Sequence, residues 1–155
     1  MMKTLKKNGF TLLELMIGIA VMAIISAIGI PKLADYLAER RLNGAARMVM
    51  SDLMMARQRA VSQNNRFKVF FTSNHGYTVL DDDNNDGAIS SGEAVEVKDI
   101  RTDYYDVTYS ASGDPFFSPR GTAFGTTVTL TSARTGGSRC VSAASTGRVK
   151  IDTCP

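Results

Sequence analysis

The sequence lacks most of the residues on which metal centres and catalytic sites depend. Its 155 residues include no tryptophan, two cysteines and one histidine, His75, which falls in a predicted turn. We find no nucleophile elbow, no phosphate-binding loop and no histidine-rich metal pattern. We therefore predict that the protein is not an enzyme. The opposing hypothesis is a membrane-anchored hydrolase, which requires an acid–base pair.

The chain also has no net formal charge beyond its first nine residues. These carry three of the chain's 18 basic residues and none of its 15 acidic ones, so residues 10–155 carry 15 of each. The distribution is uneven, since residues 81–106 contain nine acids against two bases, whereas residues 115–155 contain five bases against Asp152. This pattern predicts an acidic middle, a basic C-terminal end and a local field without net charge.

Apolar sequence, by contrast, is concentrated near the N-terminus. Residues 10–30 are apolar or glycine apart from Thr11, Glu14 and Ser26, and about 20 such residues span the hydrocarbon core of a bilayer as a helix. The preceding lysines predict a cytoplasmic N-terminus. A secretory signal would have a small-residue cleavage site after the run, but here a helical pattern continues. Placing the Glu14 carboxylate inside a membrane raises the free energy of insertion by about 2.5–3.5 kcal/mol, and a charged residue at such a position usually has a function.

The stretch GFTLLE, from Gly9 to Glu14, resembles the processing site of type IV prepilins and type II secretion pseudopilins. The resemblance implies that a prepilin peptidase cuts after Gly9 and methylates the new N-terminal residue, Phe10. It also implies that Glu14, at the fifth mature position, meets the N-terminal amine of a neighbouring subunit, which compensates its charge. The expected parts are a leader peptide at residues 1–9, a membrane-spanning and filament-core helix at 10–31, and a globular pilin domain at 32–155.

The helical pattern continues past Pro31, where the loss of one backbone hydrogen bond predicts a kink. Apolar residues then recur at three- and four-residue steps, as on one face of an amphipathic helix. We expect this helix to end near residues 63–65 and to bury that face. The apolar positions are Leu42, Ala46, Val49, Leu53, Ala56 and Ala60.

Short segments rich in β-forming residues follow the helix and are separated by turn residues. Residues 66–71 and 76–80 predict a hairpin. Further strands are expected at 93–101, 104–110, 126–131, 137–143 and 148–151. The predicted fold class is α+β, with a long, kinked N-terminal helix packed on antiparallel β-sheet, as the resemblance to pilins also implies.

The resemblance extends to the segments DDDNNDGAISSGE, FSPRGTA and RCVSAASTGRVKIDTC, which are similar to the GspH/FimT family. The cysteine pair around TGRVK is more similar to its FimT/FimU-type minor pilins. This implies a structural subunit at or near the tip of a type IV pilus that helps to initiate assembly. The alternative is a GspH-like minor pseudopilin of a type II secretion system, since both use the same N-terminus.

The resemblance also implies partners and a location. The expected partners are other major and minor pilins, the prepilin peptidase and, before assembly, the inner membrane. The chain would cross that membrane once, with its globular domain in the periplasm, and would become extracellular in the pilus.

Cys140 and Cys154 are predicted to form a disulfide, because an exported chain meets an oxidising compartment. The bond would close a loop of about 15 residues and contribute roughly 3 kcal/mol in the chain-entropy model. A metal site is the alternative, but the two cysteines have no partner ligands at metal spacing.

The resemblance implies no cofactor, but one segment matches a calcium-binding pattern. Asp82, Asn84, Asp86, Gly87 and Glu93 fit D-x-[DN]-x-[DN]-G-x5-E, the spacing at which the oxygens of an EF-hand loop converge on one Ca²⁺ ion. The flanking segments are predicted strands rather than helices, and aspartate, asparagine and glycine are also common in exposed turns. Calcium binding and a plain turn therefore both stay open.

The segment Gly147-Arg148-Val149-Lys150 resembles a GRxR motif with which some FimT-type pilins bind DNA during natural transformation. Lysine at the last position keeps the charge but loses the planar fork of arginine. Arg148 and Lys150 point to the same side of a strand, and Arg134 and Arg139 are near in sequence. Together they predict weak, salt-dependent contacts with DNA phosphates. The alternative is a solvated hairpin, because no aromatic residue accompanies these cations.

Overall fold

A computed structural model describes residues 10–154 of the chain. Residues 1–9, the predicted leader with Gly9, and the last residue lie outside the described part. The described elements, in chain order, are α1 (Leu12–Gln63), β1 (Arg66–Phe71), β2 (Gly76–Asp82), β3 (Val95–Asp99), a 3-10 helix (Ile100–Thr102), β4 (Val107–Ala111), β5 (Phe116–Phe117), β6 (Thr126–Ser132), β7 (Ser138–Ala143) and β8 (Val149–Asp152).

The chain divides into two compact units, with the boundary between Tyr36 and Leu37. The described part of the first unit is almost entirely helical, and its large apolar side chains are exposed. By length and composition, α1 is able to cross a membrane. Pro31 lies inside α1, so the helix continues past it as the sequence predicts.

In the second unit, α1 buries the apolar face that the sequence predicts. All six predicted positions are buried, and Ala38 and Ala45 join them. Most of this face is alanine. The helix ends at Gln63, followed by Asn64 with φ of +53°, a left-handed conformation that asparagine tolerates better than most residues.

Two four-stranded antiparallel sheets pack on this face of α1. The first has the order β3-β2-β1-β5 and the second the order β4-β6-β7-β8. The predicted β1–β2 hairpin is confirmed, with Arg66 opposite Asp82 and Phe71 opposite Tyr77. One hydrophobic core joins α1 to both sheets through Phe67, Val69, Tyr77, Val128, Leu130 and Val141. The predicted α+β fold class, a long N-terminal helix packed on antiparallel β-sheet, is therefore confirmed.

The structure corrects the sequence-based bounds in the middle of the chain. The strand expected at 93–101 is shorter, because Asp99 Oδ1 accepts a hydrogen bond from the backbone N of Arg101 and caps a 3-10 helix. The strand expected from residue 104 begins only at Val107. Strand β5 was not predicted, because two residues are too few to show a period.

Candidate functional site

The N-terminal candidate site contains Phe10 and Glu14. Phe10 is exposed and precedes α1. Thr11 caps the helix, since its Oγ1 accepts a hydrogen bond from the backbone N of Glu14 at 3.2 Å. A threonine followed three residues later by glutamate is a capping pattern, and the helix dipole favours negative charge in the first turn. Glu14 is therefore compatible with the local helix start, whatever it contacts in an assembly. Gly9, which was predicted to form the processing site with Phe10, is not among the described residues.

The second candidate site is the acidic loop, defined as residues 82–93. One carboxylate oxygen from each of Asp82, Asp86 and Glu93 lies within 4.8 Å of the others. Gly87 has φ of +71° and donates its backbone N–H to both oxygens of Asp82 at 3.3 and 3.2 Å. Asn84 is held beside Asp86, whose backbone N donates to Asn84 Oδ1 at 2.8 Å. The loop thus brings the predicted ligands together.

The charges of the acidic loop are only partly satisfied. Glu93 Oε2 accepts a hydrogen bond from the backbone N of Ser90 at 2.8 Å, but its Oε1 is buried without a hydrogen-bond partner among the described residues. Two cations of β1 approach the loop: Lys68 Nζ donates to Gly87 O at 2.7 Å, and Arg66 lies 3.8 Å from Asp82. A hydrogen bond from the Ala88 backbone holds the pKa of Asp86 below its ordinary value. These oxygens suit a hard cation.

The four predicted basic residues have different surroundings in the structure. Arg139 donates from Nε to Asn43 Oδ1 on α1 at 2.9 Å, and it lies on the same face of β7 as the core residue Val141. Arg148 and Lys150 are both exposed, and Val149 between them packs on the core. Lys150 forms an ion pair with Asp152 at 2.7 Å.

The remaining predicted cation, Arg134, lies in the turn between β6 and β7. The pKa of Asp106 is lowered mainly by its hydrogen bond with Arg41, and the charge of Arg134 adds to this lowering. The basic face expected from the sequence therefore stays a prediction, and Arg148 and Lys150 are the two of its members that lie next to each other along the chain.

Arg57 lies beside Arg148, and the sequence did not indicate it. Its Nε donates to the backbone oxygen of Gly121 at 2.8 Å. With Met54, Val61 and the turn before β8, these two arginines line an open groove of about 560 Å³. No motif marks Arg57, because it is one of several arginines in the second half of α1.

Cys140 and Cys154 are joined in a disulfide, with their Cα atoms 5.1 Å apart. The predicted bond is therefore present. Because Cys140 of β7 lies opposite Asp152 of β8, the bond fixes the tail next to the strand that precedes it.

Comparison with protein families gives two matches. The family of the type II transport protein GspH matches residues 45–147, and the prokaryotic N-terminal methylation motif matches residues 4–30. No curated protein matches the chain.

Solved structures with this fold include three minor pilins and pseudopilins. The type IV minor pilin FimU of Pseudomonas aeruginosa is 21% identical with a TM-score of 0.57, covering 76% of this chain and 92% of that one. The minor pseudopilin EpsH from the type 2 secretion system of Vibrio cholerae is 12% identical with a TM-score of 0.58, covering 73% and 97%. GspH of Escherichia coli is 11% identical with a TM-score of 0.52, covering 75% and 90%. At these identities the likeness establishes a common fold.

Proposed function

Because the chain belongs to the family of the type II transport protein GspH, we propose that it is a minor type IV pilin, a structural subunit at or near the pilus tip that helps to initiate assembly. The observation that carries this proposal is the N-terminal methylation motif over residues 4–30 on a helix whose large apolar side chains are exposed. Such a helix requires lipid first and neighbouring subunits later.

The proposed maturation follows from the same segment. Prepilin peptidase cuts after Gly9 and methylates Phe10, while the chain sits in the inner membrane with its N-terminus in the cytoplasm. The second unit is then periplasmic and becomes extracellular in the pilus. The Glu14 carboxylate docks on the N-terminal amine of a neighbouring pilin, because a charge within an apolar assembly needs an opposite charge.

The docking role is tested with Glu14→Ala and Glu14→Gln in the cell that makes the pilus. We expect both variants to accumulate in the membrane but to reduce pilus formation, counted by electron microscopy. Thr11→Ala is the matched control, since it removes the helix cap and keeps the charge. Normal pilus numbers with Glu14→Ala would show that the docking role is wrong.

The alternative is a minor pseudopilin of type II secretion, which uses the same N-terminal chemistry. The TM-scores for FimU and EpsH differ by only 0.01, at 0.57 and 0.58, so the fold favours neither. Deletion of the protein separates the two. Loss of pili with normal secretion supports the pilin, whereas loss of secretion with normal pili supports the pseudopilin.

A second candidate function is calcium binding by the acidic loop. It is favoured by Glu93 Oε1, which is buried without a hydrogen-bond partner among the described residues and which a Ca²⁺ ion would satisfy. Calorimetry on the detergent-solubilised chain is expected to show heat on addition of CaCl₂. Asp82→Ala combined with Asp86→Ala should abolish the heat, while Asp83→Asn, outside the ligand pattern, should not. Absence of heat with the unaltered chain removes this candidate and leaves the assembly proposal intact.

DNA binding remains a proposal for Arg148 and Lys150 alone. Both are exposed and lie on the same side of the chain at the edge of the second sheet, where they can meet successive phosphates. A mobility-shift titration in low salt should show binding that Arg148→Ala with Lys150→Ala abolishes. Arg139→Ala is the control, since Arg139 faces α1. Binding that survives the double substitution contradicts the proposal.

A further inference from the structure

We propose that the groove between α1 and β8 takes an extended, acidic segment of a second protein chain, which adds to the free edge of β8 as a further strand. The inference goes beyond the proposed function, because it assigns a docking surface to the second unit and names the chemistry of its partner. It holds for a pilus and for a secretion system alike, since it concerns only contacts within residues 37–155.

Strand β8 leaves one of its two edges unpaired. It is the last strand in the order β4-β6-β7-β8, and it pairs with β7 through Lys150 opposite Ser142. The backbone N of Ala144 donates to Arg148 O at 2.9 Å. Because hydrogen-bonded pairs alternate in an antiparallel ladder, the N–H and C=O groups of Val149 point away from β7. At edges of this kind an extended segment of another chain is able to pair.

The helix α1 supplies apolar side chains beside this edge. Met54 and Val61 line the groove together with Arg57 and Gln58, and their spacing places these side chains on one stripe of the helix. Met54 and Val61 are each 51% exposed. The stripe is about 10 Å long at roughly 1.5 Å per residue, which matches about three residues of an extended chain. The groove therefore suits a short strand.

The charges at the groove select an acidic segment. Arg57 and Arg148 line it, whereas no acidic residue does, and neither arginine forms an ion pair within residues 10–154. Because side chains alternate along a strand, an added segment turns every second one towards the apolar side chains of α1 and the others towards the opposite face of β8. We therefore expect a partner in which apolar and acidic residues alternate.

Two other occupants fit the groove less well. A second copy of β8 would bring the cations Arg148 and Lys150 against their own counterparts, and like charges across paired strands are destabilising. A DNA strand would meet the arginines, but it would leave the backbone groups of Val149 and the apolar side chains of α1 without suitable contacts. An acidic protein segment satisfies all three features together.

A short peptide tests the groove directly. The probe is a fluorescein-labelled peptide of about five residues that alternates valine and glutamate, and fluorescence anisotropy follows its binding to the full chain in neutral detergent. We expect saturable binding that Met54→Glu weakens by about five-fold or more. Met55→Glu is the matched control and should stay within about two-fold, because Met55 is 42% exposed but lies beside Asp52 and Arg59, outside the groove.

The charge and the backbone are tested separately. Arg148→Ala should weaken binding by about five-fold or more, whereas Arg47→Ala, which removes an exposed arginine of α1 outside the groove, should not. This pair decides the question if Met54→Glu fails to fold. Two further peptides carry methyl groups on the valine nitrogens or on the glutamate nitrogens. Only one of them should bind weakly, because only one set of N–H groups faces β8.

Absence of saturable binding up to about 1 mM chain overturns the proposal, and so does equal weakening by Met54→Glu and Met55→Glu. If both methylated peptides bind as well as the unmethylated one, no strand is added and the proposal is also wrong. If the peptide fails to bind, but Met54→Glu weakens binding of a single-stranded oligonucleotide, the groove takes nucleic acid instead. None of these measurements requires filament assembly, so failure here leaves the proposed function intact.

Discussion

Gly147 packs against the carbonyl oxygen of Gly121 so closely that a Cβ atom on residue 147 has no space. Both glycines have left-handed backbones, with φ of +78° and +77°, and Arg57 reaches the same carbonyl from α1. The segments FSPRGTA and TGRVK, far apart in sequence, therefore meet at one point of the fold. The glycine of the TGRVK segment has a packing role that does not depend on DNA.

Gly147→Ala is expected to lower the free energy of unfolding by about 2 kcal/mol or more. A non-glycine residue with left-handed backbone costs about 1–2 kcal/mol, and the displaced Gly121 backbone adds to this. Urea denaturation followed by circular dichroism measures the change. The control is Gly113→Ala, where a Cβ atom meets no described atom within 4 Å. Equal midpoints for the two variants would contradict this packing.

Asp106 is expected to make the stability of the second unit depend on pH. The hydrogen bonds from Arg41 hold the pKa of Asp106 below its ordinary value. A carboxyl group whose pKa is lowered in the folded state stabilises that state at pH values above its unfolded pKa, which is about 3.9. This contribution is lost as the pH falls through the folded pKa. Asp106→Asn should therefore cost about 1–3 kcal/mol at pH 7, and the difference from the unaltered chain should shrink below about pH 4.

The control for this measurement is Asp152→Asn, which removes the partner of an exposed lysine. Exposed ion pairs contribute little, so its unfolding midpoint should stay close to that of the unaltered chain. If the free energies of unfolding of Asp106→Asn and of the unaltered chain differ by the same amount at every pH down to 3, Arg41 does not stabilise the fold through this carboxylate.

Features that are local in sequence were predictable, and those that depend on distant contacts were not. The buried face of α1 follows from a periodicity that runs over five turns, and the β1–β2 hairpin follows from two β-rich runs around a turn. The three carboxylates of the acidic loop meet within twelve residues, so their spacing was informative. No local pattern indicates contacts across more than 60 residues, such as those of Arg41 with Asp106, Arg57 with Gly121 and Arg139 with Asn43.

Two core tyrosines differ in how their hydroxyl groups are satisfied. The Tyr77 hydroxyl donates to Asp52 Oδ2 at 2.5 Å, and burial followed by this hydrogen bond raises the pKa of Tyr77. The Tyr109 hydroxyl is buried without a partner among the described residues, and burial raises the pKa of Tyr109. Their ring centres are 6.2 Å apart, so the rings share one environment while the hydroxyl groups do not.

The same substitution should therefore have opposite effects at the two positions. Tyr77→Phe leaves the half-buried Asp52 carboxylate without its donor and is expected to lower the free energy of unfolding by about 1–3 kcal/mol. Tyr109→Phe removes a desolvated hydroxyl without a partner and is expected to leave stability unchanged or to raise it by up to about 1 kcal/mol. Both values come from urea denaturation at pH 7. If Tyr109→Phe lowers the free energy of unfolding as much as Tyr77→Phe does, the Tyr109 hydroxyl has a hydrogen-bond acceptor in solution. The proposed difference between the two hydroxyl groups is then wrong.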